Sequence, residues 1–583
     1  MRSPKSTNAK LQSHSRLVLP ETSLIIMNDG LEKISSNSYS KAKFLIYSIH
    51  ASTHPKSKIA MVLDSAIGEV AIETNLKQFL LVLAVSLSVA TLPQIFSWFR
   101  QIPYTLLLVI VGLGLAFADV RLVELSPELI LSIFIPPLLF EAAWNLKWAN
   151  LKRDLVPICL YAVVGVIISI VGVALSLNQL AGLSLTTALL IGASLSATDP
   201  VSVTALFREL GVGSRLTTLM EGESLFNDGM AVVAFGFLVA LPLGTAKLAF
   251  QPIVVQFFTV VGIGIAVGGL IGFGISYLTQ RFDLPLVEQS LTLVAAYGTY
   301  LITEDLGGSG VIGVVTVGLI LGNFGSRIGM NPRTRIIVSE FWEFLAFFVN
   351  SIVFLLIGDQ VHYATVGENL EIIAVTVGAM IVTRAIATYA LSSLSNYLVK
   401  SAIALPDQTV LWWGGLRGSV SIALALSVPT ILPEREAIIA TVFGVVLFTL
   451  LVQGLTTKPL LQKLNLLGDQ PLRQQYTELV ARQVALDRVL QHLKTDQRPG
   501  IDPEFYRYQE ALIEGGIKDL QVEIEQLQQE YPNLKSFPAE QLRSELLAIE
   551  ANTYAEFVKA GRLNTELSPL LPEVLQVGDG EVG

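Results

Sequence analysis

Between residues 78 and 456 the chain alternates apolar blocks of bilayer-spanning length with short polar connections. About 20 predominantly apolar residues are needed for a helix to cross the hydrocarbon core. On that measure thirteen spans are predicted, near 78–97, 103–119, 126–145, 155–178, 183–207, 216–241, 252–279, 286–303, 308–323, 338–358, 369–397, 405–429 and 435–456. Two of them carry acids that a lipid-facing helix could not tolerate. In the fifth, IGASLSATDPVSVTALFREL, Asp199 directly precedes Pro200. A proline inside a helix removes one backbone hydrogen bond and clashes with the carbonyl four residues back, so this span is predicted to unwind near Thr198 and Asp199. Such a break survives in a bilayer where protein or a water-filled cavity satisfies the freed backbone groups. In the sixth span Glu223 and Asn227 are four apart, as are Ser224 and Asp228, so all four project along two adjacent strips of one helix face. Carboxylates at that depth mark an ion or proton path.

Thirteen spans divide as six, one and six. If span n pairs with span n+7, the odd offset inverts one half relative to the other. The fifth span then matches the twelfth, LPDQTVLWWGGLRGSVSIALALSVP, which is interrupted in turn by Gly414, Gly415 and Gly418 around Arg417. Paired interrupted helices in inverted halves predict a transporter whose ion site lies where the breaks meet. Gly264, Gly268 and Gly272 in the seventh span have the four-residue spacing of a close helix contact.

The predicted fold class is therefore an all-α polytopic membrane protein with about 13 transmembrane helices in two inverted six-helix repeats with crossed broken helices, plus a helical cytoplasmic tail. Three regions are expected: a polar segment over 1–74, a transmembrane domain over 75–457 and an acidic helical tail over 458–583. The first 60 residues are Ser-rich, with nine Lys or Arg against three acids. They read either as a transit peptide or as sequence ahead of a true start at Met61. In the tail, YTELVARQVALDRVLQHLK and LQVEIEQLQQEY have apolar residues at three- and four-residue spacing, the pattern of amphipathic helices. Loops after odd-numbered spans hold thirteen Lys and Arg, and those after even-numbered spans hold three. By the positive-inside rule the amino terminus is outside the cytoplasm and the carboxyl terminus within it, and a plasma (inner) membrane is the expected location.

Composition narrows the function. Hydrophobic residues make up 52% and charged residues 15%, against about 25% charged in a soluble domain. Mean hydropathy is +0.59. One cysteine, Cys159, excludes an intrachain disulfide framework or a cysteine metal cluster. All five histidines lie outside the predicted spans, which argues against a histidine-ligated metal or histidine proton relay in the membrane. The net charge is −9, and residues from 457 onward hold 13 basic against 20 acidic groups, so nucleic acid is not an expected partner.

Four motifs in order, PPLLFEAAW (136–144), SATDPV (196–201), EGESLFNDG (221–229) and GGLRG (414–418), make the chain resemble monovalent cation/proton antiporters of the NhaP and NHE type over roughly residues 75–457. The resemblance implies a core bundle with crossed broken helices, a second bundle making a homodimer contact, and exchange of Na⁺ for H⁺ without a cofactor. It implies that Asp228 is the ion-binding and proton-carrying carboxylate and Asp199, beside Thr198, the second acid. Ser224 matches a hydroxyl ligand and Asn227 the partner that holds the broken helix. Glu223 matches a structural acid paired with Arg384, and Glu141 an acid at or near the cation path. Because Asn227 stands where electrogenic relatives carry a second Asp, the resemblance implies electroneutral exchange.

The residue types suit that chemistry. A dehydrated Na⁺ needs hard oxygen ligands, which Asp228, Asp199, Ser224 and a freed carbonyl near Thr198 can supply. Two neighbouring acids with little solvation resist double ionisation, so proton and cation compete for Asp228. Other polar groups read as supports: Arg417 balancing helix-end dipoles, Glu221 as a solvated acid, Asn350 as an interhelical hydrogen bond. A K⁺/H⁺ antiporter is the nearest alternative, because a set of oxygen ligands does not size a cavity. An intramembrane aspartyl protease would use Asp199 and Asp228 as a dyad, but neither acid has a Tyr-Asp or Gly-x-Gly-Asp context. A cation channel would call for a repeated filter-like carbonyl loop, and none is recognisable. The bilayer is a required partner, and any partner of the tail is left open.

Overall fold

The structure, a computed structural model, describes residues 76–559 and Arg562, apart from 93–94, 97–98, 100–101, 119–121, 123–124, 244–249, 282–283, 327–329, 433, 468–469 and 496–500. The chain divides into two units, Met1–Leu81 and Val82–Gly583. The polar segment 1–74, with Met61, lies outside the described residues. Every regular element among the described residues is helical. Six helical stretches are long and apolar enough to cross a bilayer: Leu155–Leu180, Ser214–Ala240, Val254–Thr279, Arg333–Asp359, Leu370–Val399 and Arg435–Lys463. Shorter apolar helices accompany them.

Two interruptions organise the rest. Helix α1 (Leu185–Ser194) starts where the Ser184 hydroxyl accepts a hydrogen bond from the Thr187 amide at 3.2 Å. It ends at the turn before Pro200, and the chain resumes as α2 (Val201–Leu210). Gly211, at φ +67°, closes α2 in the left-handed conformation that glycine adopts without strain. The unbroken α3 (Ser214–Ala240) follows and carries the acidic face. Helices α4 (Phe250–Thr279), α5 (Pro285–Asp305), α6 (Gly310–Ile320), α7 (Pro332–Asp359) and α8 (Leu370–Val399) follow in the chain. The second interruption separates α9 (Leu405–Trp413), with Pro406 in its first turn, from α10 (Ser419–Leu426). The intervening 414–418 is non-helical, and a buried α11 (Arg435–Phe448) backs it.

The breaks cross in contact. The Asp199 amide donates to the Leu416 carbonyl at 2.9 Å, and the Ser421 hydroxyl donates to the Ala197 carbonyl at 3.4 Å. A methyl group on Gly418 would stand 2.5 Å from the Asp199 carboxylate, so a side chain there would drive the two segments apart. One apolar cluster runs from Val82 to Leu461 and encloses this crossing. In the tail, α12 (Gln470–Thr495) packs along α13 (Pro503–Glu530) around Tyr476, Leu479, Ile524 and Leu534, and α14 (Phe537–Lys559) follows. Helix α12 also packs against α2, so the tail touches the half-helix that begins at the first break.

The glycine row in α4 is a packing seam. Methyl groups built on Gly264 and Gly272 would lie 3.0 Å from the Ser309 carbonyl and from Ile320, and one on Gly268 would run into the Gly313 carbonyl. Gly269, one position round the helix, faces open space. Gly268→Leu should therefore lower stability by about 1–3 kcal/mol through overpacking, seen as a lower melting temperature of the detergent-solubilised protein. Gly269→Leu should melt with the parent.

Candidate functional site

The crossing and the face of α3 enclose a cavity of about 70 Å³ lined by Thr198, Asp199, Ser224, Asp228, Asn350 and Gly418 among others. Each polar wall group is held differently. Asp199 has one carboxylate oxygen that accepts from the Val201 amide at 2.9 Å, an Asx-type turn just ahead of α2. Thr198 is fixed from α3: its amide donates to Asn227 Oδ1 at 3.2 Å, and its hydroxyl accepts from Asn227 Nδ2 at 2.6 Å. The Thr198 and Ser224 hydroxyls share a further hydrogen bond of 2.8 Å. Asn227 thus holds the unwound stretch with both ends of one amide, a pairing that a carboxylate, which has no donor when ionised, cannot make.

Asp228 differs from its neighbours. It is buried, yet its Oδ1 has no hydrogen-bond partner. A buried carboxylate oxygen without a partner is costly unless a proton or a cation satisfies it. Asp199, Ser224, Thr198 and Asp228 are all oxygen donors, so the wall suits a hard cation such as Na⁺.

Around this centre, two buried arginines satisfy the carbonyls at the broken ends. Arg384, from α8, donates through Nη1 to Glu223 Oε1 at 2.9 Å, through Nη2 to the Leu411 carbonyl at 2.9 Å, and through Nε to the Trp412 carbonyl at 3.1 Å. It therefore caps the carboxyl end of α9 while Glu223 balances its charge. Gly415 lies against the guanidinium, where a Cβ would clash. Arg417 donates through Nη1 to the Ala197 carbonyl at 3.2 Å, beyond the carboxyl end of α1, and its own amide donates to Thr449 Oγ1 at 3.1 Å.

Glu141 stands apart from these groups. Its carboxylate accepts from Asn145 Nδ2 at 2.6 Å, and the cavity wall on that side is formed by Leu138, Leu139 and Ala142. The groups whose charge it feels are Arg208, Glu221 and Glu343. Two further residues reach the cavity. Glu221, read as a solvated acid, lines the cavity and pairs with Arg208 at 3.0 Å with its side chain 19% exposed. Asn350, read as an interhelical hydrogen bond, also faces the cavity. Glu221 stands seven residues before Asp228, a spacing that places both on nearly the same helix face, whereas no local spacing marks Asn350.

A membrane-embedded, helical fold with two interrupted helices crossing beside buried acids defines an ion-coupled secondary transporter. Residues 83–463 match the family described as sodium/hydrogen exchanger, transmembrane, and the chain belongs to that family. It is 63% identical over 517 residues to the Na⁺/H⁺ antiporter ApNhaP of Aphanothece halophytica, covering 88% of this chain and 99% of that protein. It is 57% identical over 515 residues to the low-affinity Na⁺/H⁺ antiporter NhaS1 of Synechocystis, covering 87% and 98%. The fold is also that of the sodium proton antiporter MjNhaP1 from Methanocaldococcus jannaschii, with a TM-score of 0.57 at 20% identity, covering 67% of this chain and 99% of that one.

The ion pair has a stability role that can be separated from cation binding. Arg384→Ala leaves Glu223 buried and the end of α9 uncapped, a loss of about 3–5 kcal/mol for a broken buried pair. The expected result is a marked fall in melting temperature with a smaller change in apparent cation affinity. Unchanged melting with a shifted affinity would move the pair into the cation site.

Proposed function

We propose that the protein exchanges Na⁺, with Li⁺ as an alternative cation, for H⁺ by competition of the two ions for Asp228. The observation that carries this reading is the partnerless Oδ1 of Asp228, buried in a largely apolar cavity that also holds Asp199, Thr198 and Ser224, where the two breaks cross. The proton occupies the carboxylate when the cation is absent. Na⁺ displaces it with Asp199, Ser224 and the backbone at Thr198 as further oxygen donors. Alternating access follows if the carrier crosses between inward- and outward-facing states only when loaded, since binding one ion then requires release of the other.

The stoichiometry follows from Asn227. With its amide engaged at both ends by Thr198, this position neither binds a proton nor carries charge. One titrating carboxylate then serves one cation, so exchange is one for one and electroneutral. Asp199, half-buried and tied to Val201, lends negative charge and an oxygen, while Arg384, Arg417, Glu223 and Asn227 hold the frame. Glu141 supplies negative charge near the cation path.

The same reading extends to architecture. The exchanger domain spans 75–457 with thirteen helices in two inverted six-helix repeats, followed by an acidic cytoplasmic tail over 458–583. The protein sits in the plasma (inner) membrane as a homodimer, amino terminus outside. The apolar helices, the crossing of two interrupted helices and the bias of Lys and Arg among the loops support this arrangement.

The test is dequenching of a pH-sensitive dye in proteoliposomes on addition of Na⁺, Li⁺ or K⁺. Na⁺ or Li⁺ should give a signal, Asp228→Asn should give none, and an imposed voltage should leave the driving force unchanged. A K⁺ signal in place of Na⁺ would change the cation, and a voltage-driven cation flux without proton movement would mark a channel.

A further inference from the structure

The ion pair between Arg208 and Glu221 has a place in the molecule that the exchange reading does not use. Glu221 lies on α3 seven residues before Asp228, close to two full helical turns, so both acids project from nearly the same face. Both line the one cavity. Arg208 lies in the last turn of α2, the half-helix that begins at Pro200. The Arg208 side chain is 64% exposed and that of Glu221 19%, with 3.0 Å between nitrogen and oxygen. The pair therefore runs from the surface into the cavity. An ion pair this exposed contributes little to stability, and a cavity with low-dielectric walls focuses the field of the charges at its mouth on an approaching ion.

We propose that Arg208 and Glu221 form a charge gate at the mouth of the cavity. Glu221 is the first carboxylate an incoming Na⁺ meets. Arg208 is a tethered cation that holds Glu221 until Na⁺ displaces it. The guanidinium and the metal ion compete for one carboxylate, so occupancy by one opposes occupancy by the other. Arg208 has room to withdraw, because most of its side chain is already in solvent. Na⁺ then passes along one face of α3 from Glu221 to Asp228. Arg208 lies in a loop-proximal position on the side to which the positive loop charges assign the cytoplasm, so the gate faces inward.

This proposal rests on the exchange reading, and its test separates the two. Everted membrane vesicles present the cytoplasmic face to added Na⁺, and the apparent KM for Na⁺ is read from dye dequenching. Glu221→Gln should raise KM roughly five- to tenfold with a smaller change in maximal rate, and Arg208→Gln should lower it roughly twofold, the scale of one nearby charge at intermediate dielectric. Glu221→Asp and Arg208→Lys keep the charges and should stay near the parent. Both shifts should shrink as choline chloride raises the ionic strength. A purely structural pair predicts that breaking it from either side moves KM the same way. That result, unmoved KM values, or charge-keeping variants that behave like neutral ones would overturn the gate. Should Glu221→Gln fail to reach the membrane, the downward shift in Arg208→Gln decides alone. Loss of the exchange reading looks different: no dequenching by the parent, or full-rate exchange by Asp228→Asn.

Discussion

The structure depends on one constraint: a helix cannot be interrupted inside an apolar slab unless the freed backbone groups find partners. Each unsatisfied group there costs several kcal/mol. Here the two interruptions partly satisfy each other, through the Asp199 amide and the Leu416 carbonyl. Two buried arginines supply most of the remainder, Arg384 at Leu411 and Trp412, and Arg417 at Ala197. A buried guanidinium is itself tolerable only when balanced, and Glu223 does this for Arg384. The polar groups around the crossing are thus mostly committed to holding backbone in a non-helical path.

Against that background, the state of Asp228 acquires meaning. Its neighbours on the same helix face, Glu223, Ser224 and Asn227, all have protein partners. Asp228 keeps an oxygen without one, in a cavity. A rigid frame around one unsatisfied carboxylate is what competition between a proton and a small cation requires, because the frame keeps the oxygens placed when either ion leaves. Adjacent residues 227 and 228 differ by chemistry: an amide that both donates and accepts ties the break, and a carboxylate keeps an oxygen without a protein partner.

The tail and the cavity are linked through α2. This half-helix starts at the break beside Asp199, carries Arg208 in its last turn, and packs against the tail helix α12. Its position is set from one end by the crossing and along its flank by the tail. The acidic tail therefore has a mechanical connection to the cavity wall, which its amphipathic pattern alone does not reveal.

Local backbone sterics and side-chain spacing were enough to locate the breaks, since Pro200 and the glycines at 414, 415 and 418 act on their own segments. They were also enough to place Glu223, Ser224, Asn227 and Asp228 on one face, and to identify the glycine seam of α4. The pairing of Glu223 with Arg384, 161 residues away, came from family resemblance, because no spacing rule reaches that far. The structure decided which acid of that face keeps an oxygen without a partner, that Glu221 belongs to the cavity wall and pairs with Arg208, and that Asn350 faces the same space. The physical reason is common to all three: a residue's own segment determines where its side chain points, but whether a charge is satisfied depends on atoms contributed by other helices.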